Sequence, residues 1–120
     1  MKYKRVFAPN KSSKLNESDL FLIADEIIFV CQKPMYDNLV DEKYSPIFED
    51  TIVEKMADFN PEEDVLVYFG DSLIFAMIVM HLTETFYEFD IARYSRDQKN
   101  YVIRRLSSDK LLPKDGWEGE

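Results

Sequence analysis

The feature that most limits what this chain can fold into is the stretch of residues 64–87, where one apolar run turns directly into another. The first run, residues 65–69, has the length and the β-branched and aromatic content of a strand buried on both faces, as in a parallel sheet. A Gly-Asp-Ser turn follows at residues 70–72. The second run, residues 73–82, contains no Gly or Pro and is too long for a strand. The stretch therefore predicts a strand–turn–helix unit, whose helix is apolar nearly all round and is expected to be buried against the sheet and a further element or subunit.

The rest of the chain repeats this alternation of strand-length and helix-length segments. Predicted strands cover residues 3–8, 26–31, 64–70, 89–94 and 101–106, and predicted helices cover residues 19–24, 46–59 and 73–82. The alternation predicts a small three-layer α/β domain, Rossmann-like or flavodoxin-like, with a mainly parallel sheet and right-handed crossovers. The last two strands predict a C-terminal antiparallel hairpin in which Tyr94 and Tyr101 face each other. The pattern leaves the order of the strands open.

The domain is expected to span residues 1–106, followed by a flexible or partner-docked tail over residues 107–120. Its clearest amphipathic helix follows a loop that contains Pro34, Asp37 and Asn38. Ser45 offers a cap for this helix, and the next residue is a proline, which suits the first helical position. The apolar positions at helical spacing are Phe48, Ile52, Val53, Met56 and Phe59.

The charge of the chain is distributed unevenly. The formal net charge is −8, with about +5 on residues 1–14, −15 on residues 15–90 and +2 on residues 91–120. An acidic middle segment argues against direct binding to nucleic-acid phosphates, which needs a basic surface. It permits a protein partner with a basic surface, and it is equally explained by the solubility of a small domain.

The cysteine content and the absence of long apolar runs indicate the compartment. Cys31 is the only cysteine, so no intramolecular disulfide can form, and its place at the end of a buried strand indicates a core residue. No secretory leader is recognised, and the longest apolar run, residues 73–80, is far shorter than a membrane span. We therefore expect a cytoplasmic protein with no membrane anchor.

The best candidate ligand site lies where two predicted strands end. In open α/β sheets, ligands bind beyond the carboxyl ends of the strands. The candidate residues there are Asn10, Ser12, Ser13, Lys14, Gly70, Asp71 and Ser72. The simpler interpretation is structural, because Asp71 can cap the following helix and Gly70 permits a tight turn. The glycine-rich phosphate-binding motifs are absent.

Residue types that carry catalysis are scarce. His81, the only histidine, lies inside the apolar helix, away from the ligand end of the sheet, so an arrangement with a nucleophile and a histidine base is not supported. A receiver-type phosphate-acceptor site fails because Pro9-Asn10 stands where metal-binding acids are needed. Acidic pairs, and the run of residues 62–64, sit where solubilising charges are placed. We expect no catalytic residue, metal or cofactor, and a non-enzymatic role is favoured over an enzyme.

Two other groups of residues are candidates for contact with a protein. The solvent face of the amphipathic helix carries acids at Glu49, Asp50 and Glu54. The tail carries Leu111, Leu112 and the only tryptophan, Trp117. Exposed tryptophan is enriched among interface anchors, although a tail folded back on its own domain, or a disordered end, explains it as well.

The residues from Asp64 to Leu73 (DVLVYFGDSL), the apolar helix after them and residues 91–96 with Tyr101 resemble small uncharacterised bacteriophage α/β proteins. The resemblance covers residues 64–106. It implies a phage origin and a short α/β fold, and it assigns no activity.

Three functions are compatible with these observations. The preferred one is a non-catalytic acidic protein-interaction module, such as a phage-encoded modulator or inhibitor of a host protein complex. The alternative is a small-molecule or nucleotide-binding domain with its site at the carboxyl ends of the strands. The third is a structural virion or assembly component, and a homo-oligomer is left open.

Overall fold

A computed structural model of the chain describes residues 2–31 and 45–107, and of residues 45–48 the backbone alone. Within these ranges the elements are β1 (Tyr3–Asn10), α1 (Glu17–Leu20), β2 (Ala24–Cys31), α2 (Ser45–Met56), β3 (Asp64–Val67), α3 (Ser72–Thr85), β4 (Glu88–Ser95) and β5 (Asn100–Ser107). The loop predicted around Pro34 and the tail from residue 108 lie outside the described residues.

The strands form one sheet in the order β2-β1-β3-β4-β5. Neighbours among the first four are parallel, and β5 runs antiparallel to β4. This confirms the predicted mainly parallel α/β class with a C-terminal antiparallel hairpin, and the order of the first four strands is that of flavodoxin-like folds. Tyr94 pairs with Tyr101, and their rings meet edge to face with centroids 5.3 Å apart.

The order of the strands decides which face of the sheet each helix covers. The chain crosses from β1 to β2 in one direction, and from β2 to β3 and β3 to β4 in the other. Because crossovers between parallel strands are right-handed, α1 must lie on one face and α2 and α3 on the other. The buried clusters agree with this, since α2 and α3 pack with one set of strand residues and Leu20 of α1 packs with another. We call these the α2/α3 face and the α1 face.

The α2/α3 face holds the large side chains of the core. Phe7, Leu66 and Phe89 from three strands pack against Met56 of α2 and Ile78 of α3, and each is at most 2% exposed. Burying a side chain of this size stabilises a fold by roughly 1.5–3 kcal/mol.

The α1 face is built from small residues. Val6, Ala8, Val65, Val67 and Ala92 cover the sheet there and are fully buried. Their small size brings the single-turn α1 and its flanking loops close to the sheet. The Asn16 side chain caps α1 by accepting a hydrogen bond from the Asp19 amide.

Three predicted segments differ in extent from the structure. The helix predicted to reach Ala24 ends at Leu20, because the Ile23 carbonyl already accepts a hydrogen bond from the Tyr3 amide and the chain has entered the sheet. The first strand continues through Pro9, which lies beyond the three-residue ladder with β3 and so interrupts none of its pairs. The strand predicted over residues 64–70 ends at Val67, although the Tyr68 amide still donates to the Ala92 carbonyl.

Two predicted side-chain placements are wrong. Val53, predicted on the apolar face of the amphipathic helix, is exposed, because α2 buries Ile52 and Met56 along a narrower stripe. Asp64, predicted to belong to a solubilising acidic run, is fully buried. Its carboxylate accepts hydrogen bonds from the Arg5 Nη2 at 2.7 Å and the Asn60 amide at 2.8 Å, which offset the cost of burying the charge.

A second acid anchors the same edge of the sheet, where the parallel strands begin. The Asp90 carboxylate accepts hydrogen bonds from the Tyr3 hydroxyl and the Arg105 Nε, both at 2.7 Å. Burial alone would raise the pKa of Asp90, but these two hydrogen bonds and the positive charge of Arg105 hold it below its usual range. The pKa of Tyr3 is raised by burial and by the same carboxylate.

Among the described residues, no helix is long and apolar enough to cross a membrane.

Candidate functional site

The strand order creates a switch point between β1 and β3, from which the crossovers leave in opposite directions. At the carboxyl ends of these strands lies a cleft of about 580 Å³, which we call the switch-point cleft. Its lining residues are Asn10, Lys11, Ser12, Lys14, Phe69, Gly70, Asp71 and Ser72. The structure thus brings together every residue predicted for a ligand site except Ser13. Lys11 and Phe69 were missed, although both lie next to predicted residues in the chain.

A contact between Asn10 and the Gly70 turn holds the floor of the switch-point cleft. Asn10 is 1% exposed, and its Oδ1 accepts a hydrogen bond from the Asp71 amide at 2.7 Å. Gly70 has a φ of +82°, in the left-handed region that favours glycine. A Cβ at Gly70 would lie 2.2 Å from Asn10 Oδ1, so the close approach also requires the missing side chain.

Asp71 closes the start of α3. Its Oδ1 accepts hydrogen bonds from the Leu73 amide at 2.9 Å and the Ile74 amide at 3.1 Å. These are amides that would otherwise face an anion at the helix start. Asp71 is therefore an N-cap, as the structural interpretation of this turn predicts, and an anion in the cleft would need other donors.

Two lysines line the switch-point cleft, and a buried thiol lies at the same end of the neighbouring strand. The Lys11 Nζ lies 5.6 Å from the centroid of the Phe29 ring, within cation–π distance. Cys31 ends β2 beside this edge and is buried. Burial, and to a smaller degree the negative charge of Asp71, raises the pKa of the Cys31 thiol. A thiol held in its protonated form is a poor nucleophile.

A larger cleft, of about 740 Å³, lies on the α2/α3 face where that face is least covered. Of the described helices, α3 reaches its edge through Phe75, and β5 lies beyond it. Most of the lining comes from alternate residues that share one face of the sheet: Ile91, Arg93 and Ser95 from β4, and Val102, Arg104 and Leu106 from β5. At the hairpin tip, Tyr94, Arg96 and Asp97 complete it. We call this cleft the hairpin groove.

The floor of the hairpin groove is aromatic and aliphatic. Tyr68, half exposed, meets Phe75 edge to face with ring centroids 4.9 Å apart, and the Arg93 guanidinium lies 5.9 Å from the Tyr68 centroid. Val102 is 41% exposed. Sequence reasoning missed this groove, because the alternation of Val102, Arg104 and Leu106 marks a strand face but not whether a helix covers it.

Among the described residues, the cations that form ion pairs lie at one edge of the sheet, away from the cations of the hairpin groove. The ion pairs of the described residues all involve Lys2, Lys4, Arg5 and Arg105, at the edge where the parallel strands begin. In the hairpin groove, by contrast, no carboxylate among residues 2–31 and 49–107 lies within 4 Å of Arg93, Arg96 or Arg104. The groove is thus a basic surface on an acidic chain.

The outer side of α3 is a second exposed apolar surface. The helix was predicted to be buried all round, but only Ile74, Ile78 and Leu82 are fully buried, because α3 contacts the sheet along one stripe. Leu73, Ala76 and Met80 lie on the opposite side and are exposed, Met80 by 65%. We call these three residues the α3 outer stripe. Because nearly every residue of α3 is apolar, its sequence did not indicate which side of the helix faces solvent.

The other predicted site residues are spread over the molecule or lie outside the description. Glu49, Asp50 and Glu54 are exposed on α2, as predicted for a solvent face. Leu111, Leu112 and Trp117 lie outside the described residues. Within residues 2–31 and 45–107, no group of three His, Cys, Asp or Glu side chains is placed to share a metal ion.

Comparison of the chain with protein-family models, curated proteins and solved structures finds no match. The function therefore has to be inferred from the geometry of the chain itself.

Proposed function

We propose that this chain is a protein-interaction module that binds its partner through the hairpin groove, with the α3 outer stripe as a second exposed apolar surface. The observation that carries the proposal is a part of the α2/α3 face that no described helix covers, where exposed apolar and aromatic side chains stand beside arginines that have no carboxylate partner among the described residues. Aromatic residues and arginine are the types enriched in the cores of protein interfaces.

The composition of the surface favours a protein over a small solute. Phe75 of α3 lines the groove, and the α3 outer stripe lies on the solvent side of the same helix, so exposed apolar side chains are present beyond the cleft. Small ligands are held in concave sites that enclose most of their surface. Exposed apolar side chains that are not confined to a cleft are typical of a docking surface for another chain.

Selection of peptides tests this proposal even though the partner is unidentified. A random library of short linear peptides is selected on the full chain, and the affinity of the selected peptides is measured by fluorescence anisotropy. Tyr68→Ser is expected to weaken binding about tenfold, the effect of removing an interface anchor. Leu22→Ser is the matched control, since Leu22 is 72% exposed and does not line the groove. Peptides that tolerate Tyr68→Ser as well as Leu22→Ser would contradict the proposal.

A second candidate function is binding of a small anionic ligand, of the nucleotide class, in the switch-point cleft. The observation in its favour is the reversal of strand order, which is where open α/β sheets bind ligands. The volume of about 580 Å³ is in the range of small-molecule sites. Because Asp71 already uses the amides at the start of α3, the phosphates would have to be held by Lys11 and Lys14.

Thermal unfolding in the presence of ATP, GTP and NAD tests the second candidate. A ligand at 100 times its Kd is expected to stabilise the chain by about 2.7 kcal/mol. Lys14→Glu should abolish the shift, whereas Lys99→Glu at the tip of the hairpin should preserve it, because Lys99 lies outside the cleft. A shift that survives Lys14→Glu, or no shift with any of the three nucleotides, would argue against a nucleotide site there.

The resemblance to bacteriophage proteins extends the first proposal. A phage-encoded chain of this kind would act in the host cytoplasm as a modulator or inhibitor of a host protein complex. The exposed acids of α2, at Glu49, Asp50 and Glu54, offer a second contact for a partner with a basic surface. A structural role in virion assembly is the remaining alternative, in which the partner is another copy of the chain.

A further inference from the structure

We infer that the segment bound in the hairpin groove is an extended acidic peptide of the partner, which adds as a further strand to the edge of β5 that is not paired with β4. This inference rests on the proposed interaction function and specifies the chemistry of the partner. It draws on three properties of the hairpin: the position of β5 in the sheet, the charge of the groove and the spacing of its side chains.

The position of β5 leaves one side of its backbone unpaired within residues 2–31 and 45–107. β5 is the last strand in the order β2-β1-β3-β4-β5 and pairs with β4 over all eight of its residues. On such a strand, alternate N–H and C=O groups point away from the paired neighbour. Among the described residues β4 is the one strand partner of β5, and Val102 and Ile103, near the middle of β5, are 41% and 37% exposed. An extended peptide can therefore satisfy these backbone groups by strand addition.

The charged residues around the β5 edge determine which sign of charge the bound peptide should carry. On the α1 face of β5, Arg105 is already paired with Glu62, Glu88 and Asp90. On the groove face, Arg93, Arg96 and Arg104 line the cleft, and Asp97 is the one acid among its lining residues. Charged residues on an edge strand normally prevent pairing with another sheet. Here they disfavour a basic strand, including a second copy of β5, and favour an acidic one.

The spacing of the groove residues predicts the pattern of the peptide. Val102, Arg104 and Leu106 follow one another at every second position on the groove face. A strand paired with β5 places its own alternate side chains beside them. The complementary pattern is therefore apolar, any residue, acidic, any residue, apolar, with the acid beside Arg104. Apolar residues at both ends would cover Val102 and Leu106.

Charge reversal tests the role of Arg104. A fluorescent peptide with this alternating pattern and a central Glu is titrated with the full chain, and Arg104→Glu is expected to weaken its binding at least about tenfold, the loss of one close charge pair plus a new repulsion. Replacing the central Glu of the peptide with Lys should restore binding to the Arg104→Glu chain. Lys55→Glu, a charge reversal on the exposed side of α2 and outside both clefts, should leave the affinity within about twofold of wild type.

Backbone methylation tests the strand addition itself. A set of peptides carries a single N-methyl group at successive positions, which removes one amide donor at a time. Binding should be lost at every second position, because only alternate amides of an added strand face β5. Loss at all positions, or at none, would overturn strand addition.

The remaining outcomes separate this inference from the proposed function. Selected peptides that depend on Tyr68 but not on Arg104 would overturn the acidic partner and leave the interaction function standing. Displacement of the peptide by a single-stranded oligothymidylate would assign the groove to nucleic acid. A dimer in sedimentation that Arg104→Glu dissociates would assign it to a second copy. Either of the last two results would overturn the acidic peptide.

Discussion

Replacing Asp64 with alanine is expected to lower the free energy of unfolding by about 3 kcal/mol, the usual cost of breaking a buried ion pair from one side. The Asp64 carboxylate is fully buried and receives the Arg5 guanidinium through two nitrogens, at 3.2 and 2.7 Å. The hydrogen bond with this carboxylate also raises the pKa of Arg5. The variant would leave Arg5 largely buried with a single described carboxylate, the more distant Asp58, and would remove the acceptor of the Asn60 amide.

Denaturant unfolding measures this effect, and the neighbouring acid provides its control. Glu63 forms an exposed pair with Lys4 at 3.9 Å, so Glu63→Ala should change the unfolding free energy by less than about 1 kcal/mol. Asp64→Asn should fall between the two, since an amide oxygen can still accept from the Asn60 amide but carries no charge for Arg5. Equal losses for Asp64→Ala and Glu63→Ala would show that the Asp64 pair contributes no more than a surface contact.

The second large effect is expected at Gly70. Gly70→Ala should lower the free energy of unfolding by about 3 kcal/mol, through two separate terms. A φ of +82° costs a residue with a Cβ roughly 1 kcal/mol. The new Cβ would also displace Asn10 Oδ1, which leaves the Asp71 amide without this acceptor at a cost of about 1–3 kcal/mol.

A double-variant cycle with Asn10 separates the two terms. In an Asn10→Ala background the displaced side-chain atoms are already gone, so Gly70→Ala should cost only its backbone term of roughly 1 kcal/mol. The coupling between the two positions should therefore be about 2 kcal/mol. Unfolding followed by circular dichroism at several denaturant concentrations is sufficient. Purely additive losses would mean that the Asn10 side chain moves aside freely.

Residue pattern predicted the elements of the fold better than their arrangement. The buried run from Val65 and the helix after the Gly-Asp-Ser turn follow from local hydrophobicity and turn chemistry, which act over a few residues. Strand order is set by contacts between distant segments, so the place of β1 between β2 and β3 could not be predicted. The burial of Asp64 depends on that same neighbour, because its partner Arg5 is supplied by β1.

Of the two candidate sites, one could be predicted from the sequence and the other could not. The switch-point cleft was predicted because the ends of parallel strands must meet at one edge, and that rule brings Asn10 and Gly70 to the same edge whatever the strand order. The hairpin groove could not be predicted. It exists because α3, which contacts β1, reaches the groove through Phe75 alone, and the side chains of Val102 and Arg104 carry no sign of what lies above them.

The position of β1 between β2 and β3 has a consequence for how the chain folds during its synthesis. Its two neighbours are β2, which begins at Ala24, and β3, which begins only at Asp64. As the chain leaves the ribosome, β1 and β2 can form one parallel pair once Cys31 has emerged, but the other side of β1 waits until β3 has emerged as well. Until β3 is available, β1 has one unpaired edge, although it lies between two strands in the finished sheet. Unpaired strand edges make partly folded chains prone to aggregate. The hairpin of β4 and β5 is local and forms quickly, so closure of the sheet at β1 and β3 is the step that we expect to limit folding.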